Sequence, residues 1–295
     1  MTISPKYRGI FFILLSAFFF ACMNVCVRLS GDIPTIQKSF FRNIVAFIIA
    51  AVVIIRDGNG FKPENPRNWP YFLARSVAGT IGILANFYAV DHLLLSDASM
   101  LNKMSPFFAV IASYFILKEK VSAKQCLVLV GAFTGVLFIV KPSFNNLVMF
   151  PALIGVLGGL GAGTAYTFVR KLGQLGERNP LIVFVFSGFS CLVALPFMIA
   201  DFHPMSAESL MFLLGAGVFA AGGQFSVTAA YSHSPAREIS VYDYSQVIFS
   251  AFLGFFIFGD VPDILSFTGY AIICSMAVLN FMLKSGRFQK NTDRI

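Results

Sequence analysis

Four places in this chain put charged chemistry inside apolar sequence: Arg42 with Lys38 one turn away, Arg75, Lys103 beside Asn102, and Asp243 beside Tyr242. An ionised side chain at the centre of hydrocarbon costs about 2.5–3.5 kcal/mol on insertion scales, so it is kept where it faces a cavity or a partner. A buried guanidinium or ammonium can hold a carboxylate or another anion. A buried carboxylate can hold an amine or a proton. Arg42 falls about eight residues into its apolar run, roughly 12 Å from one end at the rise of a helix. It is either an anion contact or a structural partner of Asn43 or of an acid at the helix end. Lys103 and Asp243 either face one central cavity, taking a substrate's carboxylate and its amine, or pair with each other and staple the molecule together. Arg75 lies about six residues into its run, and its stem is expected to snorkel to the interface. The uncharged polar set in the same runs is Asn24, Asn86, Tyr88, Tyr166, Gln224, Tyr231, Tyr244 and Gln246. Hydrogen bonds between helices would satisfy many of these.

Other chemistries lack their residues. The dipeptide Gly-Lys never occurs, so there is no phosphate-binding loop of the Gly-x4-Gly-Lys-Ser/Thr kind. There is no His-Glu-x2-His zinc motif, and His92, His203 and His233 fall in or beside connections. The five cysteines, Cys22, Cys26, Cys126, Cys191 and Cys274, all lie in apolar runs and read as packing residues. No nucleophile–base constellation is present. The reading is therefore a protein that is not an enzyme, with no catalytic residues, no cofactor and no metal.

The elements that must position these residues follow from composition. Of 295 residues 57% are hydrophobic and 12% charged, with 35 Phe, and mean hydropathy is +0.77. A soluble domain could not keep that much apolar surface from water. A bilayer crossing takes about 20 apolar residues, and ten such runs can be drawn: 8–29, 35–55, 69–91, 96–117, 122–141, 149–170, 180–200, 207–229, 237–258 and 263–284. The first is too long for a signal peptide and has a poor cleavage context, so it reads as retained. Short connections with Gly, Pro and Asp separate the runs. Most of the 22 Lys and Arg fall in alternate connections, beginning with Lys6 and Arg8 and ending with Lys284 to Arg294. The opposite connections carry Asp32, Asp91, Asp97, Asp201, Glu208, Asp260 and Asp263. Basic connections stay cytoplasmic, which puts both termini inside. The same bias explains a net charge of +8 through a lipid bilayer partner and without nucleic acid.

The chain also repeats. Shifted by 141 residues, His92, Asp97, Ser99, Asn102 and Glu119 fall on His233, Glu238, Ser240, Asp243 and Asp260. Shifted by 142, Val27-Arg28 falls on Val169-Arg170 and Asn24 on Tyr166. The halves are read as 1–145 and 146–295. Five spans per half is odd, so the second half enters the membrane upside down: an all-α integral membrane protein of ten transmembrane helices in two inverted five-helix repeats, with a site near the midplane. Asn24 and Tyr166, being equivalent, are favoured for the cavity wall. Gly155, Gly159 and Gly163 at four-residue spacing read as a helix–helix seam, and Gly222-Gly223 as a packing or bending point.

Over residues 8–284 the chain resembles the drug/metabolite transporter superfamily, in particular the EamA type. The resemblance rests on Phe40-Phe41-Arg42, on Ser96-Asp97-Ala98-Ser99-Met100-Leu101 leading to Ser105-Pro106-Phe107-Phe108, and on Leu117-Lys118-Glu119. It continues through Gly131 to Gly135 and Lys141-Pro142, with Phe258-Gly259-Asp260 and Gly269-Tyr270 in the second half. It implies ten helices in two repeats and movement of metabolites such as amino acids, by export or, in some members, uptake. Arginine at the Arg42 position recurs in the family across many substrates, which favours a structural role there. Pro106 is matched by Val247 in the second half, so a proline-dependent hinge would be asymmetric.

The combined expectation is a secondary, non-ATP-driven transporter in a plasma membrane (the bacterial inner membrane), exporting amino acids or related compounds by alternating access. Its substrate-binding residues would be Asn24, Arg42, Asn86, Asn102, Lys103, Tyr166, Gln224, Tyr242 and Asp243. Its partners would be a small-molecule substrate and a proton or another coupling ion. The sequence carries no signal for oligomeric state. The alternatives are an intramembrane transferase-type enzyme, which would want a His, Asp or Glu cluster at one membrane face, and a channel or non-transporting membrane partner.

Overall fold

Long unbroken apolar stretches bounded by Pro, Gly and Asp become helices throughout. The computed structural model describes residues 5–58, 60–118, 123–140, 149–233 and 240–284, and every regular element among them is helical. In chain order the helices are α1 (Pro5–Leu29), α2 (Thr35–Arg56), α3 (Trp69–His92), α4 (Leu95–Asn102) and α5 (Ser105–Ile116). They continue with α6 (Ala123–Val140), α7 (Met149–Gln174), α8 (Asn179–Ala200) and α9 (Ala207–His233). A 3-10 turn, Ser240–Tyr244, leads into α10 (Ser245–Phe258), and α11 (Ile264–Lys284) closes the series. Among the described residues, six helices are long and apolar enough to cross a membrane by length and composition: α1, α2, α3, α7, α8 and α9. Their outer faces carry bare hydrocarbon, for example Leu192 at 71% and Ile199 at 68% exposure. That is a surface for lipid rather than water.

Two spans drawn as continuous are interrupted. The run 96–117 divides into α4 and α5 at Lys103 and Met104, ahead of Pro106. The run 237–258 changes from the 3-10 turn to α10 at Tyr244 and Ser245, which the 141-residue shift places on Lys103 and Met104. Both runs change geometry at the same repeat position, and the cap residues Met104 (ψ −12°) and Tyr244 (ψ −14°) share a flattened turn. A proline is one way to free the preceding carbonyls, but not the only one.

The packing has the same internal symmetry. Helix α1 packs on α9 as α7 packs on α3; α2 meets α8, and α6 meets α11, as counterparts. The close seams use glycine. A Cβ on Gly159 would meet the Leu101 carbonyl oxygen at 2.6 Å, and one on Gly163 would collide with the Ser105 carbonyl. Gly155, Gly159 and Gly163 thus form the seam of α7 against α4 and α5, while Gly161 backs onto Gly82 of α3. Gly222 and Gly223 face the rings of Phe19 and Phe20 within an uninterrupted α9, so they serve packing and not bending.

Two ends can be distinguished by their connections. The acidic end gathers residues 30–34, 93–94, 201–206 and 259–263, and the basic end 57–68 and 175–178. At the acidic end Asp260 is a hub. Its Oδ2 accepts from Arg28 Nη1 at 2.5 Å and from the Leu95 backbone N–H at 3.0 Å. Ser99 and Ser250 hydroxyls meet at 2.6 Å between α4 and α10, and the Tyr270 hydroxyl donates to Asp97 at 2.5 Å. At the basic end Glu177 accepts from the backbone of Glu64 (3.1 Å) and Asn65 (3.3 Å) and from Asn68 Nδ2 (2.7 Å).

Candidate functional site

A cavity lies among α1, α2, α3, α7, α8 and α9 and reaches the α4 break and the start of α10. Its wall includes Asn24 of α1, Arg42 of α2, Arg75 and Asn86 of α3, Asn102 and Lys103 at the α4 break, Tyr166 of α7, Gln224 of α9 and Gln246 of α10, among apolar neighbours such as Phe20, Phe87 and Phe186. Seven of the nine sequence-predicted residues therefore line one space. Asn24 and Tyr166, equivalent by the repeat, are both on its wall. Tyr242 and Asp243 are not among the residues lining it. Asp243 is nevertheless one bond away: its Oδ2 lies 2.7 Å from Lys103 Nζ, with the two side chains 14% and 6% exposed. Of the two readings left open for that pair, the direct ion pair is present, and Lys103 also faces the cavity.

Arg42 is almost fully buried, at 3% exposure. One of its terminal nitrogens donates to Asn43 Oδ1 at 2.5 Å, and Asn43 in turn donates to Ser39. The structural pairing with Asn43 is thus made, yet the Arg42 Nε has no hydrogen-bond partner among the described residues. Lys38, one turn away, is bonded to Asp91 at 2.6 Å and is not available to the cavity.

Arg75 departs from expectation. It does not snorkel to the interface: it is 3% exposed, and its guanidinium carbon lies 3.9 Å from the centre of the Phe186 ring. The reason is Gly79. A Cβ there would collide with the Arg75 Nη1 and meet Phe186 Cε2 at 2.7 Å. With only hydrogen on Gly79, the arginine runs one turn along its own helix toward the cavity instead of back toward water. Its Nε and Nη1 have no hydrogen-bond partner among the described residues. Counting residues from the helix end missed this; an arginine followed four positions later by glycine was the available signal. Gln246, which the sequence placed only in the general polar set, is also on the wall.

Asn24 and Asn86 meet at 3.4 Å, Nδ2 of Asn86 toward Oδ1 of Asn24, and the remaining Asn24 Nδ2 and Asn86 Oδ1 are unpartnered among the described residues. Buried polar groups are normally satisfied. Here four wall residues, Asn24, Arg42, Arg75 and Asn86, each hold a donor or an acceptor without a partner among the described residues. Among the described residues no group of three His, Cys, Asp or Glu could hold a metal ion. Several sequence features, His233, Glu238, Arg237, Tyr231, Glu119, Lys141 and Cys126, involve side chains outside the described residues.

Comparison with known proteins agrees with this architecture. The model of the EamA-like transporter family matches twice, over residues 7–141 and 149–282. The pseudopaline exporter CntI of Pseudomonas aeruginosa is 30% identical over 97% of this chain and 100% of its own length. Human solute carrier family 35 member G1 is 27% identical over 86% of this chain and 73% of its own. The riboflavin transporter of Brucella anthropi is 24% identical over 90% and 96%. A solved crystal structure shares the fold, with a TM-score of 0.65 at 13% identity, covering 93% of this chain and 96% of that one.

Proposed function

The chain belongs to the EamA-like transporter family of multi-pass membrane proteins, and on that premise we propose that it is a secondary carrier exporting amino acids or related small metabolites. In this reading the ten apolar runs are ten spans in two inverted repeats, divided near residues 145 and 146. Both termini face the cytoplasm of a bacterial inner membrane, so the acidic end is outer and the basic end inner. Asn24, Arg42, Asn86, Asn102, Lys103, Tyr166 and Gln224 contact the cargo. Asp243 tunes Lys103 from behind, and Tyr242, off the wall, is at most peripheral. Coupling to a proton or exchange of cargo supplies the driving force.

The observation that carries the reading is a cavity shared by the two repeats, with the α4 break and the start of α10 on its wall and wall residues whose donors are unpartnered among the described residues. Interrupted helices around a midplane site are the hallmark of alternating-access carriers. A transferase of the kind considered above would want a His, Asp or Glu cluster, and among the described residues no His, Asp or Glu lines the cavity. Counterflow in proteoliposomes tests the proposal. Preloading with an amino-acid mixture should give saturable uptake of labelled cargo, reduced at least tenfold by Asp243→Asn. Flux that rises linearly with concentration would point to a channel instead, and no flux of any metabolite would point to a non-transporting partner.

A further inference from the structure

Resting on the carrier reading, we infer that Arg42 and Arg75 together form an anion receptor, so that the cargo is a small organic dianion. The charge of the wall is the first ground. Its ionised residues are Arg42, Arg75 and Lys103, and no acidic residue is among those lining it. Asp243 neutralises Lys103 at 2.7 Å. The two guanidiniums have no carboxylate within ion-pairing distance among the described residues. Two uncompensated cations therefore face one space in a low-dielectric setting. Removing a partner from a buried ion is strongly destabilising, so leaving two such ions is tolerable only if something else supplies the counter-charge.

The second ground is independent of charge. Both arginines line the cavity and are more than nine-tenths buried, and each holds buried nitrogens without a hydrogen-bond partner among the described residues, Nε of Arg42 and Nε and Nη1 of Arg75. A guanidinium presents a rigid fork that matches carboxylate or phosphate oxygens. Gly79 and Phe186 hold the Arg75 fork in place, one by the absence of a Cβ and the other by its ring face. An Arg whose purpose was packing would not need a glycine cleared beneath its head group. The shared chemistry is two negative charges, on two carboxylates or on one phosphate monoester. An amino-acid derivative with a second acid satisfies it as well as a simple dicarboxylate.

The test is thermal unfolding of the detergent-purified full chain with succinate, glutamate and glycerol phosphate, against glutamine, butyrate and putrescine. Wild type should melt higher with succinate or glycerol phosphate, with glutamate as a further two-carboxylate probe, and not with glutamine, butyrate or putrescine. Succinate against glycerol phosphate separates the carboxylate from the phosphate source. Arg75→Gln should abolish the ligand shift and raise the ligand-free melting temperature, since an uncompensated buried charge is gone; an arginine with a structural role would lower it. Arg75→Lys should retain part of the ligand shift, and Gly79→Ala, which keeps the charge but displaces it, should weaken binding at least tenfold. Stabilisation by glutamine or putrescine equal to that by dianions, no stabilisation by any dianion, or a dianion shift that survives Arg75→Gln overturns the inference. Saturable counterflow of a neutral or cationic metabolite, unaffected by Arg75→Gln, would overturn it while leaving the carrier reading intact. Absence of saturable flux altogether would instead sink the carrier reading.

Discussion

The two halves of the central seam are built from repeat-equivalent segments, yet they are bonded very differently. At the acidic end α4 lies against α10, joined by Ser99 and Ser250 and capped by Asp260, which ties Arg28 of α1 to the start of α4. The repeat image of that contact is α5 against the 3-10 turn 240–244 at the basic end. Among the described residues no packing of that order joins those two segments. The basic end is tied elsewhere, through Glu177 and Arg178 to the 57–68 connection. Among the described residues, related sequences are thus bonded together at the acidic end and not in the same way at the basic end. An inverted repeat permits both arrangements, and an alternating-access carrier would exchange them. Under the carrier reading proposed above, the arrangement described is the one closed at the acidic end.

Breaking the ties in turn sharpens this contrast. The largest effect is expected at Lys103 and Asp243, which are nearly buried and lie where the two seams meet. Lys103→Met or Asp243→Leu alone should cost about 3–5 kcal/mol, because each strands a charge, while the double substitution should recover most of it. Purely additive losses in a double-mutant cycle would show that the pair is not coupled. Arg28→Ala should come next. It strands Asp260, which is 7% exposed, but Arg28 itself is 26% exposed, so a loss near the lower limit, about 3 kcal/mol, is expected. It should also open the acidic end to water-borne thiol reagents. Glu177→Gln is the contrasting case. It weakens three hydrogen bonds to a carboxylate and should cost about 1.5–3 kcal/mol, yet leave access at the acidic end unchanged. If Glu177→Gln opened the acidic end as Arg28→Ala does, the two ends would not be separate gates. The smallest effect is Ser99→Ala, about 1 kcal/mol by thermal unfolding, with a modest gain in acidic-end access.

Much of this was readable from residue patterns, and the failures have particular causes. The helices appear where the apolar runs place them, because a run of some 20 apolar residues has few other ways to satisfy its backbone in lipid. The stripe Gly155, Gly159, Gly163 predicted its seam, because close backbone approach needs small residues at one face. The wall residues Asn24 and Tyr166 were found through the repeat, which converts a weak one-residue hint into a paired one. The break before Ser245 was not readable, since no proline or glycine marks it. Arg75 was misplaced because distance to the interface was weighed without asking which direction the side chain could take. Gly79 decides that direction, and only the packed neighbour Phe186 makes the decision visible. Tyr242 is next to Asp243 in the chain but is not among the residues lining the cavity, because adjacent helical positions do not face the same way.

The central claim is that one cavity is reached from one end at a time. The most direct measurement is the labelling of Tyr166→Cys, in a background without other cysteines, by a membrane-impermeant maleimide applied to each side of sealed vesicles. The expected result is labelling from the basic side alone, with labelling from the acidic side gained when Arg28→Ala is added. Simultaneous labelling from both sides without the Arg28 substitution, or an acidic side still closed with it, would contradict the account.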